Sequence, residues 1–140
     1  MSGPIFSTFI GMEPRGKQRP RFVQATGRTY TPSETVKAEL RIQQQVQEQW
    51  GRAPLDGPLS LVVTVWLQKP KSAPRTRLAP TGKPDWDNYG KLVSDALNGI
   101  LWRDDALICR AFVEKVYCNP GQPLQGFQIT VQELGQGWVI

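Results

Sequence analysis

The 140-residue chain carries 17 Lys and Arg against 12 Asp and Glu, a formal net charge of +5, and no histidine. That length suits one ordinary domain over residues 1–140 with a single core. The missing histidine excludes His-ligated zinc and Ser-His-Asp catalysis, and Cys109 and Cys118 fall short of the four thiolates of an all-cysteine zinc site. No stretch approaches the roughly 18 apolar residues of a membrane span. The opening Met1–Ile5 lacks the basic and apolar regions of a signal peptide, so a cytoplasmic protein is expected.

In chain order, the apolar run Ile5–Met12 reads as a first strand. The segment Pro14–Ser33 follows, with Arg15, Lys17, Arg19, Arg21 and Arg28 and no acid; its Pro, Gly, Ser and Thr content reads as loop. Thr31-Pro32-Ser33-Glu34 has the form of a capping box with Pro at the first helical position, and Gly51 ends a helix of about five turns near Trp50. Its Gln43, Gln44, Gln45 and Gln47 side is expected to face solvent or a subunit boundary. Leu59–Leu67 places Leu61, Val63, Val65 and Leu67 on one face of a strand. A second loop, Gln68–Pro84, carries Lys69, Lys71, Arg75, Arg77 and Lys83, again without an acid.

Directly after it, residues 83–105 gather five of the twelve acids: Asp85, Asp87, Asp95, Asp104 and Asp105. Tyr89, Leu92, Val93, Ala96, Leu97 and Ile100 recur at helical spacing, so Asp87 is the expected N-cap and Gly99 the stop. Lys91 and Asp95 then follow Asp87 at one-turn steps on the polar side. An extended lead-in would point Asp85 and Asp87 the same way around Trp86. Such converging carboxylates repel unless a cation lies between them. Mg2+ favours one or two protein carboxylates with water and phosphate oxygens completing its shell, which suits phosphoryl chemistry. One of Asp104 and Asp105, at the head of a strand Leu107–Tyr117, would complete the cluster. A turn at 119–123 and a strand Phe127–Leu134 close the chain, the last two strands pairing as a hairpin. The elements predict an α+β domain, one mixed sheet of about four strands with two main helices.

Each aspartate has a plainer use. Asp85 beside Pro84 suits a turn and Asp87 a helix cap. Lys91 suits an exposed helix ion pair worth about 0.3 to 0.5 kcal/mol, and Asn98-Gly99 a helix terminus. Trp86 and Trp102 suit either core packing or stacking on exposed bases. A turn or cap needs one aspartate, however, and not a spaced set around a lysine. Two basic loops leading to acids fit a polyanion whose phosphates Lys and Arg neutralise. Cys109 and Cys118, nine residues apart on extended chain, lie beyond the roughly 7 Å reach of a disulfide, as expected of free thiols.

The string Lys83-Pro84-Asp85-x-Asp87-Asn88-x-x-Lys91-x-x-x-Asp95-Ala96-Leu97-Asn98-Gly99, with Asp104-Asp105-Ala106, resembles the signature of the RusA family of Holliday junction resolvases. Pro14–Phe22 and Thr29-Tyr30-Thr31-Pro32 resemble the opening of its phage-borne members, so a prophage origin is implied. The resemblance implies a homodimeric endodeoxyribonuclease of DNA recombination and repair, dependent on Mg2+ with Mn2+ as a substitute, that nicks four-way DNA junctions symmetrically. It assigns the metal to Asp85, Asp87 and Asp105 and an essential catalytic role to Lys91, with Asp95 and Asp104 as support. DNA contacts are then expected from Arg15, Lys17, Arg19, Arg21, Lys69, Lys71, Arg75, Arg77 and Lys83. The alternatives are a Mg2+ nuclease acting on flaps or other branched substrates, and a nucleic-acid-binding module without catalysis.

Overall fold

The computed structural model describes residues 4–119 and 124–135. Its elements are β1 (Phe6–Gly11), β2 (Arg21–Val23), β3 (Arg28–Tyr30), α1 (Ser33–Trp50), β4 (Leu59–Leu67), α2 (Trp86–Ala96), β5 (Ile108–Tyr117) and β6 (Gly126–Glu133). A short 3-10 turn, Asp105–Leu107, leads into β5. The main sheet is mixed, in the order β1-β6-β4-β5, and β2 and β3 form a separate two-stranded sheet. The expected α+β architecture of four strands and two principal helices is what the chain adopts.

Alternation builds the inner face of the sheet. Leu61, Val63 and Val65 of β4 lie in register with Val131, Ile129 and Phe127 of β6, and all six are buried. Against them pack Ala38, Ile42, Val46 and Trp50 of α1 and Tyr89, Leu92, Val93 and Ala96 of α2, in one continuous core. Burying each Leu, Ile or Val of these stripes contributes about 1.5 to 3 kcal/mol. Gly51 ends α1 at φ 55°, a left-handed conformation that glycine adopts without a Cβ penalty.

Four expectations are corrected. The last two strands do not form a hairpin: β6 lies antiparallel between β1 and β4, while β5 runs parallel to β4 at the sheet edge. Composition explains the choice, because β6 buries Phe127, Ile129 and Val131 as an interior strand must, whereas β5 exposes Arg110 and Phe112 and carries the charge that suits an edge. The parallel pair needs a crossover, and α2 supplies it. Residues 120–123 of the expected turn lie outside the described residues. Secondly, the segment Pro14–Ser33 is not all loop. It holds the β2–β3 hairpin, in which Val23 O accepts from the amides of Thr26 and Gly27.

The third correction is the start of α1. Pro32, not Thr31, occupies the N-cap, with no side-chain cap bond, so the capping box does not form. Lastly, Gln45 does not face solvent freely; its Nε2 donates to Thr8 Oγ1 at 3.0 Å and to the Phe9 carbonyl at 2.7 Å, tying α1 to β1.

Candidate functional site

Helix α2 begins two residues earlier than its apolar spacing suggests. Asp85 holds the N-cap position without making a side-chain cap bond, and Asp87 lies inside the first turn. The extended lead-in that would have aligned the two carboxylates is therefore absent, since residues two apart on a helix do not face one another. Asp85 instead meets the Lys83 ammonium, 2.9 Å from Oδ1 and 3.0 Å from Oδ2.

Asp87 turns toward the far end of the crossover. It lines an open cleft of about 280 Å3 together with Asp105, which lies eighteen residues later at the start of the 3-10 turn. The cleft's other walls come from Trp86, Gly90 and Ser94 of α2 and from β4 and β5. Asp105 is held there by a bond that sequence reasoning missed: its amide donates to Asn98 Oδ1 at 2.9 Å. Asn98 is thus more than a helix terminus. The helix does not run to the expected stop at Gly99 but ends at Ala96 with Leu97 as its C-cap, which leaves Asn98 just outside it and seven residues before Asp105. The 98–103 segment is itself anchored: Leu55 donates to Leu101 O, Arg103 N donates to Leu55 O, and the Arg103 guanidinium meets Asp56. Trp102 is fully buried in the core.

The electrostatics separate the adjacent pair. The Ala106 amide and the Asp105 carboxyl, with Arg103 behind them, hold Asp104 below its ordinary value of 3.8. Burial pushes Asp105 above 3.8, and a hydrogen bond and negative charge from Asp104, with further charge from Asp95, add to the rise; Lys91 opposes it. Lys91 itself is exposed on α2.

A cation would offset the repulsion between these carboxylates. The donor set is all oxygen, and two carboxylates, Asp87 and Asp105, share one cleft, which matches the usual protein share of a Mg2+ shell. Among the described residues, no group of three or more Asp, Glu, His or Cys side chains is gathered to hold a metal ion. The fit is thus to a two-carboxylate site, with Asp85 engaged by Lys83.

On the other flank of the first turn of α2 is a pocket of about 430 Å3 whose charged lining includes Arg15, Lys17 and Lys83. The chain there is irregular but pinned. Lys17 N donates to the Asn88 carbonyl at 2.9 Å, and Gly16 fits so closely that a Cβ would come within 2.7 Å of Pro84 Cβ. Lys115 of β5 donates to the carbonyls of Gly82 and Pro84 at 2.8 and 3.0 Å, clamping the loop that carries Lys83 and Asp85. Nothing in the spacing of Lys115 marks this role.

The nine basic residues expected to contact DNA fall into three situations. Arg19, Arg21, Lys71, Arg75 and Arg77 are exposed on the hairpin approach and the 68–85 loop. Arg15 lies near Glu13 and Glu34, at 3.4 and 4.0 Å, and Lys69 lies over the Tyr117 ring, while Lys83 pairs with Asp85. Lys17 is spent internally: its ammonium lies 3.1 Å from Glu39 and 3.5 Å from Asp95, with only 17% of the side chain exposed. It bridges the N-terminal segment, α1 and α2.

This chain is 38% identical over 73 residues to the Bacillus subtilis (strain 168) "Uncharacterized protein YqaN", a match covering 45% of this chain and 51% of that protein. The chain thus spans about half the length of that curated relative. The family profile described as Endodeoxyribonuclease RusA matches residues 11–124, a span that runs from the end of β1 past β5 and takes in both flanks of α2. On that match, the chain belongs to the RusA endodeoxyribonuclease family.

Proposed function

We propose that this protein is a metal-dependent endodeoxyribonuclease that hydrolyses a phosphodiester of branched DNA, resolving four-way junctions in recombination and repair. The observation that carries the reading is the meeting of Asp87 and Asp105 in one cleft from opposite ends of the crossover, with Lys91 acting on the same carboxyl group. Asp87 and Asp105 would hold Mg2+, or Mn2+ in its place. Such an ion would supply an activated water at neutral pH and would offset charge on the phosphate.

The chain's own residues do the rest. Asn98 fixes the backbone of Asp105, and Lys115 fixes the loop of Asp85. Lys91 places positive charge where the scissile phosphate gains negative charge. Arg15 and Lys83, with the exposed arginines of the two basic segments, draw in the flanking backbone and release its counterions. Paired symmetric nicks call for two sites related by a two-fold axis, so the working form is a homodimer. Free thiols at Cys109 and Cys118 support a reducing compartment, the cytoplasm of the host of a prophage. Among the described residues, no helix is long and apolar enough to cross a membrane.

One rival draws on a specific observation. Asp85 is paired with Lys83, and among the described residues no three carboxylates are gathered, as in a module that grips phosphate without cutting it. A panel of four-way junction, flap, duplex and single strand, incubated with Mg2+, separates these. Nicking confined to branched DNA and lost in Asp87→Asn supports the nuclease. Tight junction binding with no nicking by the unaltered protein supports the rival, and equal cutting of junction and duplex removes the resolvase assignment.

A further inference from the structure

Trp86 opens α2 between Asp85 and Asp87 and is 60% exposed, whereas Trp50 and Trp102 are buried. A large aromatic ring left in water at a helix start contributes little to folding. Its surroundings give it another use. Trp86 lines the same cleft as Asp87 and Asp105, and most of the remaining lining is apolar, from Leu61 of β4 and Ile108, Ala111 and Val113 of β5. Gly90 lets α2 approach β5 closely beside the cleft, for a Cβ there would meet Val113 Cγ2 at 3.2 Å.

The cleft therefore combines two acidic groups with aromatic and aliphatic surface. The acids account for a cation and a phosphate. The apolar surface suits neither, because a phosphate placed against it would lose its water without gaining a partner. A flat, uncharged ring attached to that phosphate does match it, with one face on the indole. Nucleobases are such rings, and aromatic side chains stack on them with little regard to sequence. In linear duplex the bases are stacked inside the helix; at a crossover the flanking bases are the ones most readily freed.

We propose that the cleft receives an unstacked base adjoining the scissile phosphate, stacked on Trp86, and that this contact favours branched over linear DNA. The inference rests on the nuclease reading above and adds to it a subsite and a source of selectivity.

The test uses the full-length protein and a four-way junction carrying 5-iodouracil beside the cut, irradiated in Ca2+, with cleavage of the same junction followed separately in Mg2+. The expected result is a crosslink on the peptide containing Trp86, present with the junction and absent with linear duplex. Trp86→Ala should remove that crosslink and lower junction cleavage about ten-fold, while Trp86→Phe retains most of the cleavage. Ala111→Leu, which adds bulk to the apolar surface without altering an acid, should reproduce the Trp86→Ala loss. Circular dichroism melting serves as the check that both variants fold. A crosslink equally strong with duplex overturns the proposal, as does a Trp86→Ala variant with unchanged junction cleavage. A Trp86→Ala change that alters only the particle's mass in sedimentation also overturns it, since the cleft would then seat a second copy. Cleavage by the unaltered protein without a Trp86 crosslink sinks the base subsite alone; failure to bind or cut any branched DNA sinks the nuclease reading as well.

Discussion

The first turn of α2 separates two regions built on different plans. On one side, the acidic cleft is framed by regular elements, with Asp87 on the helix, Asp105 on a short turn tied to Asn98, and walls from β4 and β5. On the other, the basic pocket is made of irregular chain, residues 13–18 and 83–84, held by Lys115, by the Lys17–Asn88 backbone bond and by the close fit of Gly16. On the function proposed above, the difference follows from what each would have to do. Chemistry at a phosphorus atom tolerates little misplacement, so its groups stand on rigid elements. Backbone contacts act over the longer range of charge and accept a looser support.

The largest test of that contrast is to remove the chemistry and keep the grip. Asp105→Asn and Asp87→Asn should each lower junction cleavage by about a hundred-fold or more, with junction affinity changed less than about three-fold. Cleavage rates and gel-shift affinities measured side by side decide it, and a parallel fall in both would erase the distinction between the flanks. Next in size is the brace joining them. Lys17→Met leaves Glu39 and Asp95, which are 16% and 28% exposed, without their shared cation. It should cost about 1 to 3 kcal/mol in urea unfolding. An unchanged midpoint would mean that Lys17 is a surface residue after all.

A smaller effect is expected from the basic flank. Arg15→Ala combined with Lys83→Ala should flatten the plot of log affinity against log salt by about 2 while the rate at saturating junction changes little. A slope equal to that of the parent protein would show that these two residues touch no phosphate. The smallest effect lies in a single titration. Asp104→Asn removes the hydrogen-bonding and charge contributions of Asp104 but leaves burial, the largest cause, in place. The Asp105 carboxyl, followed by NMR without metal, should titrate lower than in the parent yet remain above 3.8. Because its folded value is raised, protonated Asp105 favours the fold; that benefit is full below 3.8 and is lost as pH climbs from 3.8 to the raised value.

Much of this layout was legible in local pattern. The alternation of Leu59–Leu67 and the stop at Gly51 correspond to β4 and to the end of α1, because each depends on residues within a few positions. What local pattern missed were choices made by distant partners. The placing of β6 between β1 and β4 rests on which strand has an inner face apolar enough for the middle of a sheet. At the site, the spacing of acids marked the right stretch of chain. It did not show that Asp85 would turn to Lys83, because that depends on where α2 starts and on a competing ammonium. Asn98 acts through one bond across 7 positions and Lys115 through two across 31 and 33, and no periodicity carries that information.

The place of β6 inside the sheet has a consequence for how the protein is made. Phe6 pairs with Val131, and β4 meets β6 along eight register positions, so two of the sheet's three seams close only once Gly126–Glu133 has been synthesised. Until then β1 has no neighbour in the sheet, and the inner face of β4 lacks the side chains it packs beside. Assembly that waits on such long-range pairing is slow compared with helical domains. A nascent chain on the ribosome thus carries Asp87 and Asp105 long before it has the frame to hold them in place, and the cleft takes its shape only after β6 has emerged.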